Sequence, residues 1–355
     1  MSPGGRVLIT GGCGSIGSAV VAHLLEQDDT TQITVFDNDE QGLFALEQRT
    51  SDVFPELEFE LGDVRDEHRL EAAMRGADYV VHTAGVKQVP QCESHPYEAI
   101  RTNADGTWNV LQTARRVGVE SVLTLSTDKA VTPTSTMGAS KMLAERITHA
   151  AADRTGPDGP RLGCVRLGNV VDSAGSVVPL FRERIESGGP VPVTDPEMTR
   201  FAMSKTRAAS FIADRVADQP GGRIHVPRIE RFRLGDLAEA MVDQYAPAGT
   251  PPERVEIEEI GRRPGERAHE HLVGPTEVAR TIENDDGYSV LPPSEMADGT
   301  AGPATDTDLP PDGYRSDMEP FLNQDEIIGL VETGVFDASH PTSENDALAV
   351  IGTDD

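Results

Sequence analysis

Asp128 and Lys129 put a carboxyl group and an amine on neighbouring residues, directly after Leu125-Ser126-Thr127. Two such groups within reach of one small ring are what an elimination needs. One takes a proton from carbon while the other protonates the departing hydroxyl. Met137-Gly138-Ala139-Ser140-Lys141 follows. Lys141 lies one helical turn after Met137, so the two face the same crevice. Met137 has no proton to give or take, which leaves proton chemistry to its neighbours. As two isolated charges, Asp128 and Lys129 would read as a helix cap and a solvated cation. Their place at a strand end favours the chemical reading.

Elements able to position these groups are visible upstream. Arg6 to Thr10 is a short apolar run of the kind expected for a buried parallel strand, followed by Gly11-Gly12-Cys13-Gly14-Ser15-Ile16-Gly17 and a helical pattern from Ala19 to Leu25. Strand, glycine turn and helix in that order form a phosphate cradle at a helix N-terminus. A second strand, Ile33 to Asp37, ends in an acid about 20 residues after the glycines, where a carboxylate bonds the adenosine ribose and repels a 2′-phosphate. NAD rather than NADP is the expected cofactor. Further strands are expected at Leu57 to Gly62, Tyr79 to Ala84 and Ser121 to Thr127, with helical patterns between them. This alternation predicts an α/β fold built on a doubly wound parallel sheet. The glycine loop, Asp63-Val64, Ala84 to Lys87 and Thr127 to Lys129 then all fall at carboxyl ends of strands, where such sheets bind ligands.

Composition narrows the class. The 355 residues carry a net charge of −29. From Thr281 onward there are 18 acids and one base, Arg315, yet residues 1–280 still hold 42 acids against 30 bases. Nucleic acid and anionic membrane are therefore not expected partners. The charge fits a protein adapted to high salt, whose unfolding temperature rises from dilute buffer to molar KCl. No apolar run approaches the roughly 20 residues that span a bilayer, and a cytoplasmic protein without membrane insertion is expected. Cys13, Cys92 and Cys164 are too scattered for a disulfide framework, and His82, His95, His269 and His271 show no metal spacing, so no metal is expected. The expected organisation is a nucleotide-binding core over 1–165, a smaller substrate lobe over 166–290 interleaved with it, an acidic Pro/Gly-rich linker over 291–320, a helix over 321–332 and an acidic disordered tail over 340–355.

Beyond the glycine loop, several motifs are more specific: His82 to Pro90, Thr102-Asn103-Ala104-Asp105-Gly106-Thr107, Ser126 to Lys141, Arg166-Leu167-Gly168-Asn169-Val170, Gly175 to Phe181, Met198-Thr199-Arg200-Phe201 and Arg263-Pro264-Gly265-Glu266. On these the chain resembles the polysaccharide-biosynthesis branch of the extended short-chain dehydrogenases, whose characterised members are UDP-N-acetylglucosamine 4,6-dehydratases. The likeness covers residues 6–280, with an echo at Gly313 to Asp317. Gln88 stands where the family usually has histidine, and Met137 where its shorter members have tyrosine. A membrane-anchored subgroup also carries methionine there, and the chain is similar to that subgroup's catalytic domain without its membrane part.

The resemblance implies a Rossmann-type fold and a reaction in which NAD carries a hydride from C4 to C6 of a UDP-N-acetylhexosamine while water leaves, giving a 4-keto-6-deoxy sugar. It implies Asp128 as acid, Lys129 as base, Thr127 on the C4 oxygen and Lys141 on the nicotinamide ribose. With tyrosine absent, the C4 proton would pass to Asp128 or through water. For Lys129 to be neutral near pH 7 its pKa must be lowered, and Lys141, partial burial and the nicotinamide charge are the expected means. Gly11, Gly14, Ser15, Ile16, Gly17, Asp37, Asp63, Val64, Ala84 and Lys141 would hold NAD. Lys87, Asn169, Arg200, Arg263 and Glu266 would hold the UDP-sugar, the two arginines taking the phosphates. The alternatives are a nucleotide-sugar C4 or C5 epimerase and a non-catalytic NAD-binding regulator. A homo-oligomer is expected, with Tyr97 to Arg116 at the interface.

Overall fold

Val7, Leu8 and Ile9 are apolar on both sides of the chain, and the strand that contains them, Gly5–Thr10 (β1), is covered on both faces. The structure, a computed structural model, describes residues 4–332 apart from 28–29, 51–52, 172, 174–175, 248–250, 264 and 298–306. The expected tail over 340–355 lies outside the described residues. β1 pairs in parallel with Thr30–Asp37 (β2) on one side and Tyr79–His82 (β4) on the other. Leu57–Leu61 (β3) extends the sheet beyond β2, and Ser121–Thr127 (β5), Arg161–Leu167 (β6) and Ile224–Pro227 extend it beyond β4, all in parallel. Gly287–Val290 and Thr281–Asn284 close that edge in antiparallel pairing. The order reverses between β1 and β4, and the crevice at such a switch point is where doubly wound sheets bind ligands.

Helices cover both faces because the parallel strands are apolar on both. Ser15–Leu25 packs beside Lys205–Ala217 on one side; Glu67–Met74 and Gly106–Val117 pack on the other, next to Thr136–Asp153. A second apolar core forms the lobe, where Phe181, Ile185, Met198, Leu237 and Met241 meet. Ile327 and Val331, on the helix Gln324–Glu332, complete that core, while Ile328 is only half buried.

The stretch 291–320, expected as a linker, is packed at both described ends. Leu291, Leu309 and Tyr314 are buried, and the Tyr314 hydroxyl donates to the Ile229 carbonyl at 2.9 Å. Proline and glycine mark it as irregular, but its few apolar side chains find partners in the main core. The stretch Tyr97 to Arg116, expected at an oligomer interface, has a helical sequence pattern but is not one uniform helix: Pro96–Ile100 and Gly106–Val117 are joined by a wider turn, Arg101–Asp105. Tyr97, Ile100 and Trp108 on this element face solvent.

Candidate active site

The glycine loop folds as its spacing predicts. Gly11 has φ +74°, and a Cβ on Gly17 would sit 2.2 Å from the Gly11 carbonyl oxygen, so neither position admits a side chain. Asp37 ends β2 beside this loop: Oδ2 accepts from the Cys13 amide at 2.9 Å and Oδ1 from the Asp39 amide at 3.1 Å. Burial, with Asp37 and Asp39 nearby, pushes the Cys13 thiol up to about 12, which keeps it inert. Asp63 is held by Arg65, whose hydrogen bonds keep its carboxyl below the usual range. Lys87 reaches back to Ser15, Nζ to Oγ 3.4 Å, and so stands at the phosphate cradle.

These residues wall a cleft of ≈ 680 Å³ together with Ile16, Val64, Ala84, Thr127, Lys129, Met137, Lys141 and Asn169. Polar and apolar groups converge there as in a ligand site. Only 4 of the chain's 31 basic residues are lysines: Lys87, Lys129, Lys141 and Lys205. Three of those four line this one cleft. Arginine serves almost everywhere else, and only lysine can be brought to give up its proton.

Asp128 lies beneath the cleft wall, fully buried. Its Oδ1 accepts from Thr127 Oγ1 at 2.7 Å, from the Lys129 amide at 2.8 Å and from Lys129 Nζ at 2.9 Å. Its Oδ2 has no hydrogen-bond partner among the described residues. A buried carboxylate oxygen left unpaired costs about 1–3 kcal/mol, a cost kept mainly at functional sites. Asp128 does not reach the cleft itself; Thr127 and Lys129 do.

Lys129 departs from expectation. Its side chain is 31% exposed. Burial pulls its pKa down, but the Asp128 and Glu270 carboxylates outweigh that and hold the ammonium above its ordinary value. The lysine lowered here is Lys141, brought to about 8 by burial. Lys141 Nζ donates to the Leu125 carbonyl at 3.1 Å and would lie 2.9 Å from a Cβ on Gly85, close against the strand ends. Met137 is buried with Cys92 and Ala99, one turn from Lys141, and fills space at the cleft floor.

Two groups were not singled out from the sequence. Asn103, in the wide turn, receives the Val86 amide at 2.9 Å and donates to the Val86 carbonyl at 3.0 Å and Ser140 Oγ at 2.8 Å. It thereby ties the β4 loop to the helix that carries Lys141. The motif Thr102 to Thr107 pointed at it, but helical periodicity cannot reveal a widened turn. The second is Glu270, a buried carboxyl that burial and the nearby Asp128 charge push toward the neutral form.

The lobe residues divide. Asn169 lines the cleft with a buried Oδ1 that has no hydrogen-bond partner among the described residues. Arg200 is turned inward: it donates to the Thr199 and Ala268 carbonyls and pairs with Glu266 at 3.4 Å. Arg263 is exposed, its amide donating to Glu266 Oε2 at 3.1 Å. Neither arginine lines the cleft wall. Arg267 donates to the Val131 carbonyl at 3.0 Å and Thr132 Oγ1 at 3.1 Å, which ties this segment to the turn after Lys129.

A family model described as polysaccharide biosynthesis protein matches residues 7–292. The chain belongs to this family. Among relatives, an uncharacterized membrane protein of Methanocaldococcus jannaschii is 42% identical over 287 residues, covering 81% of this chain and 85% of that one. A UDP-N-acetylglucosamine 4,6-dehydratase (inverting) of Campylobacter jejuni is 37% identical, covering 82% and 84%, and a UDP-glucose 4-epimerase of Rickettsia canadensis is 38% identical, covering 80% and 82%. Of solved structures, Pen from Bacillus thuringiensis superposes with TM-score 0.84 at 32% identity, over 94% of this chain and 98% of that one. DesIV, a dTDP-glucose 4,6-dehydratase from Streptomyces venezuelae solved with NAD and TYD bound, gives TM-score 0.64 at 25% identity, over 74% and 86%. The polysaccharide biosynthesis family is thus one of extended short-chain dehydrogenase architecture, as the motifs implied. Among the described residues no helix is long and apolar enough to cross a membrane.

Proposed function

We propose that this enzyme of nucleotide-sugar modification removes water from a UDP-N-acetylhexosamine, with UDP-N-acetylglucosamine the leading substrate, to give a 4-keto-6-deoxy sugar. The observation that carries this reading is the Asp128–Lys129 pair hydrogen-bonded to Thr127 at the cleft wall. The NAD taken to bind at the glycine loop and Asp37 supplies a hydride acceptor for C4 and a donor for C6. Thr127 Oγ1 receives the C4 hydroxyl proton while passing its own to Asp128 Oδ1, a route open to a carboxylate that the sugar cannot touch. Asp128 then returns that proton through the same hydroxyl to the departing C6 oxygen. Lys129 takes the C5 proton and restores it after water has left, so it must first give up the proton that its carboxylate neighbours favour. Lys141, with its lowered pKa, holds the nicotinamide ribose. Lys87 faces the dinucleotide phosphates rather than the sugar, and Arg263 at the lobe surface remains the candidate for the UDP phosphates, with Asn169 on the sugar.

Epimerisation at C4 or C5 is the second reading, because relatives named UDP-glucose 4-epimerase are as similar as the dehydratases. Mass separates the two. Incubated with NAD and UDP-N-acetylglucosamine in molar KCl, the protein is expected to yield a product lighter by one water. A product of unchanged mass supports the epimerase, and an unchanged substrate defeats both.

Asp37 decides between dinucleotides. Asp37→Ala removes charge-assisted hydrogen bonds worth about 1.5–3 kcal/mol, so NAD affinity is expected to fall about 10- to 100-fold while NADP, relieved of repulsion, loses less. Calorimetric titration reads both. Equal affinities in the unmodified protein would remove Asp37 from this role.

A further inference from the structure

Val131 to Ser135 join the tight turn Asp128–Ala130, which carries Lys129, to the helix Thr136–Asp153, which carries Met137 and Lys141. The path of this short link sets where the two lysines stand relative to each other. Neither end has slack. The Val131 amide donates to the Asp128 carbonyl at 3.1 Å, and a Cβ on Gly138 would lie 2.2 Å from the Lys129 carbonyl oxygen. Within the link, Thr132 has φ +44° and is the only non-glycine residue with positive φ among the described residues. A β-branched side chain is an outlier there, and Pro133 after it favours an extended backbone at the same position. Such a conformation persists only where its surroundings hold it. The hold comes from the lobe, 135 positions later in the chain. Arg267 Nη1 donates to the Val131 carbonyl at 3.0 Å and Nη2 to Thr132 Oγ1 at 3.1 Å. Thr134 Oγ1 donates to the Gly265 carbonyl at 2.7 Å. The adjacent Ala268 carbonyl accepts from the Thr199 amide at 3.0 Å and from Arg200 Nη1 at 3.1 Å, so the Arg267 guanidinium stands on a pinned backbone.

We propose that Arg267 is a positioning residue, which holds the strained link at Val131 and Thr132 and thereby keeps Lys129 in register with Lys141. The inference rests on the assignment of Lys129 as the base. No step of the dehydration uses Arg267 itself. Both of its terminal nitrogens are taken up by the link, in a chain where 60 acidic residues compete for 31 basic ones. The residue type fits the task, because a planar guanidinium reaches a carbonyl and a hydroxyl at once, whereas an ammonium is a single point charge. Without the fork, Thr132 is expected to fall back to the extended backbone that a residue before proline prefers, and the turn bearing Lys129 to move with it. The same arm of the lobe carries Arg263, the candidate for the UDP phosphates, four positions earlier. One short segment thus serves both the nucleotide end of the substrate and the base that acts on its sugar.

Suppression by a second substitution tests this. Arg267→Met removes the fork, and its kcat for dehydration of UDP-N-acetylglucosamine is expected to fall about 5- to 100-fold, the range that one such strained conformation can supply. KM for the sugar nucleotide and Kd for NAD are expected to stay within about twofold, since no ground-state contact is lost. Glycine enters positive φ without the cost that threonine meets, so Thr132→Gly added to Arg267→Met is expected to recover most of the loss. An arginine that only stabilised the fold would show no such recovery. Arg267→Lys keeps the charge but cannot fork; it is expected to lose less, and it carries the test if the methionine variant does not fold. In full-length protein with NAD and no sugar, amide hydrogen exchange over residues 128–136, read by mass spectrometry, is expected to quicken in Arg267→Met. An unchanged kcat, an unchanged exchange rate, a loss confined to KM, or a loss that Thr132→Gly does not lessen overturns the proposal. If the unmodified protein removes no water from UDP-N-acetylglucosamine, the functional reading fails, while the exchange measurement still decides whether Arg267 holds the link.

Discussion

Lys129→Ala is expected to lower dehydration of UDP-N-acetylglucosamine by about 10²–10⁴-fold, the usual contribution of a positioned base, while NAD still binds. The C5 proton would have no acceptor at the cleft wall, because Asp128 is buried beneath it and Lys141 is held against the Leu125 carbonyl. Oxidation at C4 does not need Lys129, so a small amount of NADH is expected to accumulate on mixing with substrate, visible by its absorbance. The variant also removes one of the three donors to Asp128 Oδ1, and circular dichroism with a thermal scan separates that structural cost from the chemical one. Full activity would place the base elsewhere.

The second large effect concerns the missing tyrosine. Asp128→Asn is expected to lose at least as much activity as Lys129→Ala, and without accumulation of NADH, because it removes the acceptor that draws the C4 proton through Thr127. Met137→Leu, one turn before Lys141, is expected to keep most activity. The two side chains are close in volume, the site is an apolar contact with Cys92 and Ala99, and such a swap usually costs less than about 1.5 kcal/mol. Rates measured side by side decide the matter. An active Asp128→Asn beside an inactive Met137→Leu would give the methionine a direct part in the reaction and refute the Thr127 relay.

Both effects depend on charges that the linear order of residues leaves open. Local sequence was enough to place the glycine loop, the acid at the end of β2, the strand at Ser121 to Thr127 and the adjacent Asp128 and Lys129, because each follows from periodicities and turn chemistry spanning a few residues. The alternation of those elements was enough for the doubly wound sheet, and with it for one cleft shared by motifs far apart in the chain. The protonation of the pair was not legible. Lys129 was expected to be lowered by Lys141, yet it is raised by Asp128 and Glu270, and it is Lys141 that burial lowers. Arg200, expected on phosphate, is turned toward carbonyls of its own lobe. Asn103 enters the site through a turn that interrupts an otherwise regular helical pattern. For the three charged residues the reason is common. A residue's type and its helix or strand are set by neighbours in sequence, whereas desolvation and the field at an ionisable group are set by whatever is packed within a few ångströms, and here that includes side chains from Glu270 and Arg200 delivered by the lobe.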